Sequence, residues 1–208
     1  MDIIEISRKY EDNILAKVIV NAIPYVGSSL DIALSYKWHE YQSARIESLL
    51  TKISNELSDI NDNLIDKDYI LSEEFYDLVV QIANNASKNR CEELRTGYSK
   101  VIKSAMTKEE NTADLESLVR QISELNQKDI LFLKTINFLF NSGKEVSGNT
   151  LSIPLNSYRY SPLECELYLY RFENIGLLDH PRNKMTGRSL MKFTKTPLFD
   201  KIISYLNI

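Results

Sequence analysis

The sequence contains few of the residues that break helices or cross-link a chain. Its 208 residues include six glycines, five prolines and two cysteines. Sheet-rich folds need more turn-forming residues than this, so the scarcity of glycine and proline favours long helices. The two cysteines, Cys91 and Cys165, have no partner at a motif spacing, which favours a reducing compartment.

Residues that commonly carry out catalysis are scarce as well. His39 and His180 are the only histidines, and neither has a carboxylate or a cysteine at a motif spacing. Glu40 and Glu47 share a helix face, but no histidine follows three residues later as a di-iron site requires. Phosphate-binding loops and serine nucleophile elbows are absent. We therefore expect a protein that is not an enzyme and that binds no cofactor and no metal ion.

Features of export are missing too. The N-terminal segment MDIIEISRKYEDN is acidic and polar. A secretory signal peptide would instead begin with basic residues and continue with an apolar run. We therefore expect no signal peptide and a cytoplasmic location.

No run of apolar residues has the length of a typical membrane helix. The least polar stretch, VIVNAIPYVGSSLDIALSY, has a charge-free run of 13 residues, whereas a membrane helix needs about 20. We expect Pro24 to end one helix and Ser28 to begin the next. A membrane-active hairpin of residues 14–36 remains an alternative. The break in this hairpin contains Ile23, Pro24, Tyr25, Val26 and Gly27.

Helical periodicity dominates the N-terminal part of the chain. After Ser28, apolar residues recur every three or four positions, which predicts a long helix over about 29–59. The acidic segment 58–77 is predicted to be a solvated connection. Further helices follow, with Ser72 and either Asn111 or Thr112 as capping residues. Residues 1–125 therefore predict an antiparallel helical bundle.

The pattern changes in the C-terminal part, residues 126–208. Asn126 begins a helix, Ser161 begins a second helix that ends at Gly176, and Thr196 begins the last one. Two short extended runs flank the loop PRNKMTGR and predict a small β-hairpin. This order is typical of a winged-helix-like domain, although residues 142–160 show no clear second helix. The whole chain is therefore predicted to be mainly α.

Charge is distributed unevenly along the chain. Residues 1–111 carry 13 basic and 19 acidic side chains, whereas residues 112–208 carry 12 and 10. The helix at 162–175 has a net charge of −2, which repels phosphate backbones, while the wing after it is basic. We favour a protein-interaction module and leave nucleic-acid binding through the wing open. The candidate contact residues are Arg171, Arg182, Lys184, Arg188, Lys192 and Lys195.

Two stretches of the sequence resemble a bacterial family. One is the IPYVG break at 23–27 before the long helix, and the other is IGLLD…FTKTPLFDKII near the C-terminus. Together they resemble small bacterial proteins of the abortive infection alpha type. The resemblance implies a role in phage defence, and it supplies no catalytic residues.

Three hypotheses for the function follow. The first is a non-enzymatic protein-interaction protein of a bacterial phage-defence system. The alternatives are a winged-helix DNA-binding transcriptional regulator and a membrane-active defence effector that uses residues 14–36. Homo-oligomerisation is compatible with all three, because long helices often leave apolar stripes for a second copy.

Overall fold

The computed structural model describes residues 32–57, 60, 64–107, 110–180 and 192–208. The chain divides into two compact units, and the boundary lies between Glu124 and Leu125. The predicted break at 23–27 and most of the predicted hairpin at 14–36 lie outside the described residues. The described part is mainly helical and has a small two-stranded antiparallel sheet, which confirms the predicted mainly α class.

The first unit is built from helices that pack around one apolar core. The described helices are α1 (Ile32–Leu57), α2 (Lys67–Ile70), α3 (Glu73–Lys88), α4 (Glu92–Met106) and α5 (Thr112–Ser123). The long helix predicted over about 29–59 is present as α1. Both α1 and α5 pack on α3 and α4, and the short α2 packs on the same two helices.

Periodic apolar residues hold this unit together. Leu49, Ile82, Leu94 and Ile122 are each fully enclosed, and burial of such a side chain is worth about 1.5–3 kcal/mol. The starts of α3 and α5 are also set by the sequence. The side chains of Ser72 and Asn111 accept hydrogen bonds from the first turns of these two helices, as predicted.

The segment at 58–77 is more structured than the predicted solvated connection. It contains α2, which was not predicted, while the start of α3 at Glu73 agrees with the predicted cap at Ser72. Asp66 caps α2, because its side chain accepts hydrogen bonds from the backbone of Asp68 and Tyr69. The Asp66 backbone N–H also donates to the carbonyl of Met106 at 2.8 Å, which ties the segment to the end of α4. The prediction treated acidic side chains as solvated where one of them caps a helix.

The second unit combines four helices of the described chain with a short sheet. In the sheet, Leu178 lies opposite Lys195 and Asp179 lies opposite Thr194. Val146 forms a further antiparallel bridge with Phe193. The described elements are α6 (Gln127–Asn141), α7 (Gly148–Leu155), α8 (Pro162–Asn174), β1 (Leu178–Asp179), β2 (Thr194–Lys195) and α9 (Pro197–Leu206). A 3-10 turn, Asn156–Tyr158, lies between α7 and α8.

The statement that residues 142–160 lack a clear second helix is wrong, because α7 lies there. Ser147 and Thr150 form a reciprocal capping box at its start. Leu151 and Leu155 are buried. The eight-residue helix escaped prediction because its sequence, GNTLSIPL, contains a glycine and an internal proline, both poor helix formers.

The glycine at the start of α7 has a packing reason. A Cβ added at Gly148 would lie 2.5 Å from the carbonyl oxygen of Pro162 and 3.1 Å from the Cβ of Glu166. Only glycine therefore lets the start of α7 approach the first turn of α8 this closely. The residue that obscured the helix in the sequence is the one that lets it pack.

Strong local signals fix both the start and the end of α8. Ser161 and Glu164 form a capping box, and Pro162 occupies the first turn, as the sequence predicts. At the other end, Gly176 has a φ of +80°. Its N–H bonds to the carbonyl of Glu173, and the N–H of Leu177 bonds to the carbonyl of Phe172. This pair of bonds is a Schellman motif, which turns the chain directly into β1.

Candidate functional site

Helix α8 presents apolar side chains both to the core and to solvent. The helix buries Cys165, Leu169 and Phe172 in the core. Leu163 and Leu167 lie one helical turn apart and are 66% and 61% exposed. The sequence pattern shows that all these residues are apolar, but periodicity alone did not show which of them face solvent.

The turn that leads into α8 adds two further exposed side chains. Tyr158 is 60% exposed, and Arg159 is exposed as well. Arg159 has a φ of +61°, in the left-handed region that non-glycine residues rarely adopt. Tyrosine and arginine are the residue types that most often dominate binding energy in protein interfaces. Residues 158–167 therefore expose two side chains of these types and two apolar ones. We call these four residues the α8 surface: Tyr158, Arg159, Leu163 and Leu167.

The neighbouring aromatic residues have a different role. The Tyr168 ring stacks on Phe132 of α6 with a centroid distance of 3.8 Å, and the Tyr160 ring packs edge-on against Phe132 at 4.9 Å. These tyrosines pack α8 against α6. The rings of Tyr160 and Tyr168 therefore function in packing and are not a free platform for stacking bases.

Arg171, the first candidate contact residue, is held by a buried acid. Its Nη2 lies 3.0 Å from Oδ2 of Asp129, whose side chain is fully buried. Asp129 also accepts a hydrogen bond from the backbone N–H of Asn126 in the capping box of α6. Burial raises the pKa of Asp129, and the bond from Asn126 and the charge of Arg171 oppose that rise. Arg171 thus compensates a buried carboxylate.

The basic residues at the base of the wing are paired in the same way. Lys192 forms an ion pair with Glu145. Nζ of Lys195 lies 2.8 Å from Oδ1 of Asp200. Such exposed pairs contribute little stability, but each one cancels a positive charge. The remaining candidates lie outside the described residues; they are Arg182, Lys184 and Arg188.

His180 has a carboxylate neighbour that spacing in the sequence did not reveal. Its Nδ1 lies 2.8 Å from Oε1 of Glu173, and both side chains are largely enclosed. The rings of Tyr170 and Phe193 pack against the imidazole, with centroid distances of 5.9 and 5.3 Å. The turn at Gly176 brings Glu173 and His180 together. The arrangement joins the end of α8 to the base of the hairpin.

Both cysteine thiols are buried in the described part of the chain. Burial raises the pKa of the Cys91 thiol to about 11, and it raises the pKa of Cys165 to about 11 as well. Both thiols therefore stay protonated near neutral pH and are poor nucleophiles. Within the same residues, His, Cys, Asp and Glu side chains form no group of three or more that could hold a metal ion.

A helix that crosses a membrane must be both long and apolar. None of the helices in this part of the chain combines the length and the apolar character needed to cross a bilayer.

Comparison with known families identifies the relationship of the chain. The model of the abortive infection alpha family matches residues 42–207. The chain belongs to this family. The match confirms the resemblance drawn from the sequence and indicates an abortive-infection-type role in defence. It includes the C-terminal IGLLD…FTKTPLFDKII stretch and begins after the IPYVG break.

Searches of curated proteins and of solved structures gave no significant match.

Proposed function

We propose that this abortive infection alpha protein is a non-enzymatic component of phage defence that acts by binding another protein through the α8 surface. The observation that carries the proposal is the exposure of Leu163 and Leu167 on a helix whose opposite face is fully packed. A partner that covers these two leucines, which lie one turn apart, would remove their apolar surface from water, and this removal favours association.

The second unit is proposed to be a winged-helix-like domain adapted to protein contact. The order α6, Val146, α7, α8, β1 and β2 follows the order of a winged helix. The bridge between Val146 and Phe193 takes the position of the first strand of such a domain. In that arrangement α8 is the helix that DNA-binding relatives of the fold would insert into the major groove. Its surface, however, carries leucines.

Charge supports a protein partner over DNA. Binding to DNA backbones depends on cations that can neutralise phosphates. Arg171, Lys192 and Lys195 each face a carboxylate of this chain. Glu164 and Glu166 are next to the exposed leucines on α8. The partner that fits is therefore a protein with an apolar patch and a basic rim.

A double substitution tests this proposal. Leu163→Gln with Leu167→Gln keeps good helix formers on α8 and removes both exposed leucines. We expect the variant to fold normally, to lose the partner that the wild type enriches in quantitative pulldowns, and to lose protection in a phage-challenge assay. Circular dichroism and thermal unfolding would check the fold.

The matched control is Leu71→Gln, which removes a leucine of the first unit that is 75% exposed. It is expected to keep both the partner and the protection. The proposal fails if the double variant enriches the same protein as the wild type. It also fails if the wild type instead shifts genomic DNA fragments with affinity that falls steeply between about 50 and 200 mM salt.

A further inference from the structure

Three arginines converge on the connection between α3 and α4 in the first unit. Arg45 comes from α1, Arg90 lies in the connection itself, and Arg95 comes from the first turn of α4. The protein as a whole has a net charge of −4. A concentration of positive charge at one point is therefore not explained by a generally basic composition.

Successive backbone carbonyls hold two of these guanidinium groups side by side. Nη1 of Arg45 donates to the carbonyls of Ser87 at 2.8 Å and Lys88 at 3.1 Å. Nη1 of Arg95 donates to the next carbonyl, that of Asn89, at 3.1 Å. The two side chains thus cap the C-terminal end of α3, where cations are favoured.

Capping uses only part of each guanidinium group. In Arg45, Nε and Nη2 have no acceptor among the described residues. In Arg95, Nε donates to Oγ of Ser48 at 3.1 Å, and Nη2 has no acceptor in the same part of the chain. The exposed Arg90 has no hydrogen bond there either. Several N–H donors therefore remain after the structural role is fulfilled.

Across the described ranges, none of the three arginines lies within ion-pair distance of a carboxylate. Glu92 lies 3.1 Å from Nζ of Lys52, and Glu93 accepts a hydrogen bond from the Cys91 thiol. The charges of Glu92 and Glu93 still raise the pKa of Arg95, against the larger effect of burial. Burial lowers the pKa of Arg45, and the charges of Arg90 and Arg95 lower it further.

We propose that Arg45, Arg90 and Arg95 form a binding site for a small phosphate-bearing anion. The planar guanidinium group suits phosphate because it offers two parallel N–H donors to two oxygens. A bound anion would also relieve the repulsion between the three cations. Arg95 is only 7% exposed, a depth that a small anion reaches more readily than a flat membrane or a nucleic-acid duplex.

This site is independent of the α8 surface, because all of its residues lie in the first unit. Failure of one proposal leaves the other standing. Pyrophosphate is a suitable probe, since it carries the phosphate chemistry without any base or sugar.

The test compares pyrophosphate with chloride at matched ionic strength, using the full chain. We expect pyrophosphate alone to raise the midpoint of thermal unfolding, because a ligand that binds only the folded state stabilises it. Calorimetric titration gives the affinity.

Arg90→Gln should weaken binding by about tenfold or more, the loss typical of a hydrogen bond to a charged group. Arg90 is exposed and makes no hydrogen bond among the described residues, so this variant should fold normally.

The matched control is Arg120→Gln, which removes an exposed arginine of α5 that takes no part in the cluster. It should bind pyrophosphate like the wild type. Arg45→Gln should lower the basal unfolding midpoint and also abolish the pyrophosphate-induced increase. The proposal is overturned if pyrophosphate stabilises no more than chloride does, if Arg120→Gln weakens binding as much as Arg90→Gln, or if only anionic vesicles bind.

Discussion

Two acidic residues in this protein occupy the same position in a capping box and have opposite electrostatic environments. Asp129 closes the box of α6 and is fully buried, whereas Glu164 closes the box of α8 at the surface. Burial raises the pKa of Asp129. The hydrogen bonds from the backbone and side chain of Ser161 lower the pKa of Glu164.

These shifts predict opposite dependences of stability on pH. A raised pKa means that the folded protein binds the proton more tightly, so the contribution of Asp129 to the free energy of unfolding falls as pH rises above its ordinary pKa. The difference in the free energy of unfolding between the wild type and Asp129→Asn should therefore become smaller as pH rises. The corresponding difference for Glu164→Gln should become larger, because the stabilising contribution of the Glu164 carboxylate is lost as pH falls. Urea titrations at several pH values would measure both differences, and slopes of equal sign would contradict the assignment.

Single residues also mark the limits of prediction from sequence. The caps at Ser72, Asn111, Asn126 and Ser161 were predictable because a cap depends on residues within three positions. The partners of Lys192 and Arg171 were not, since Glu145 and Asp129 lie 47 and 42 residues away. The sequence therefore predicted a free basic surface, because it did not reveal the carboxylates that pair with Lys192 and Arg171.

At the scale of elements, one hydroxyl group connects the hairpin of the second unit to its neighbouring helices. The Thr196 hydroxyl donates to the carbonyl of Gly176 at 2.8 Å and lies 3.0 Å from that of Leu177. Its oxygen also accepts the N–H of Phe199 and so caps α9. The end of α8, the start of β1 and the start of α9 meet at this one side chain.

Thr196→Val keeps the shape of the residue and removes the hydroxyl. We expect a loss of about 1–2 kcal/mol in the free energy of unfolding, as for other lost helix caps. Thr194→Val is the control, because Thr194 is exposed and makes a single bond to the carbonyl of Asp179. Chemical denaturation of both variants would measure the difference. Equal losses would show that Thr196 has no special role.

The same scale explains which elements were predicted and which were missed. Long helices such as α1 and α3 repeat their apolar residues over several turns, so their periodicity is unambiguous. α7 has only eight residues, with Gly148 and Pro154 among them. Its existence depends on close packing against α8, which is a tertiary property.

At the scale of the whole molecule, the candidate sites belong to different units and have different chemistry. The α8 surface is apolar with acidic neighbours, whereas the Arg45, Arg90 and Arg95 cluster is cationic. The sequence predicted the helix that carries the α8 surface, but it did not predict which side of that helix faces solvent. The arginine cluster could not be anticipated at all, since one of its arginines comes from α1 and the other two lie more than 40 residues later.

The bridge between Val146 and Phe193 has a consequence for how the chain reaches its native state. The two residues are 47 positions apart, so the bridge forms only after a long loop has closed, and loop closure costs entropy. Such a contact is expected to form after the rate-limiting barrier. Val146→Ala should then accelerate unfolding and leave the refolding rate unchanged. Stopped-flow kinetics over a range of urea concentrations would reveal this, and slower refolding of the variant would place the bridge in the nucleus instead.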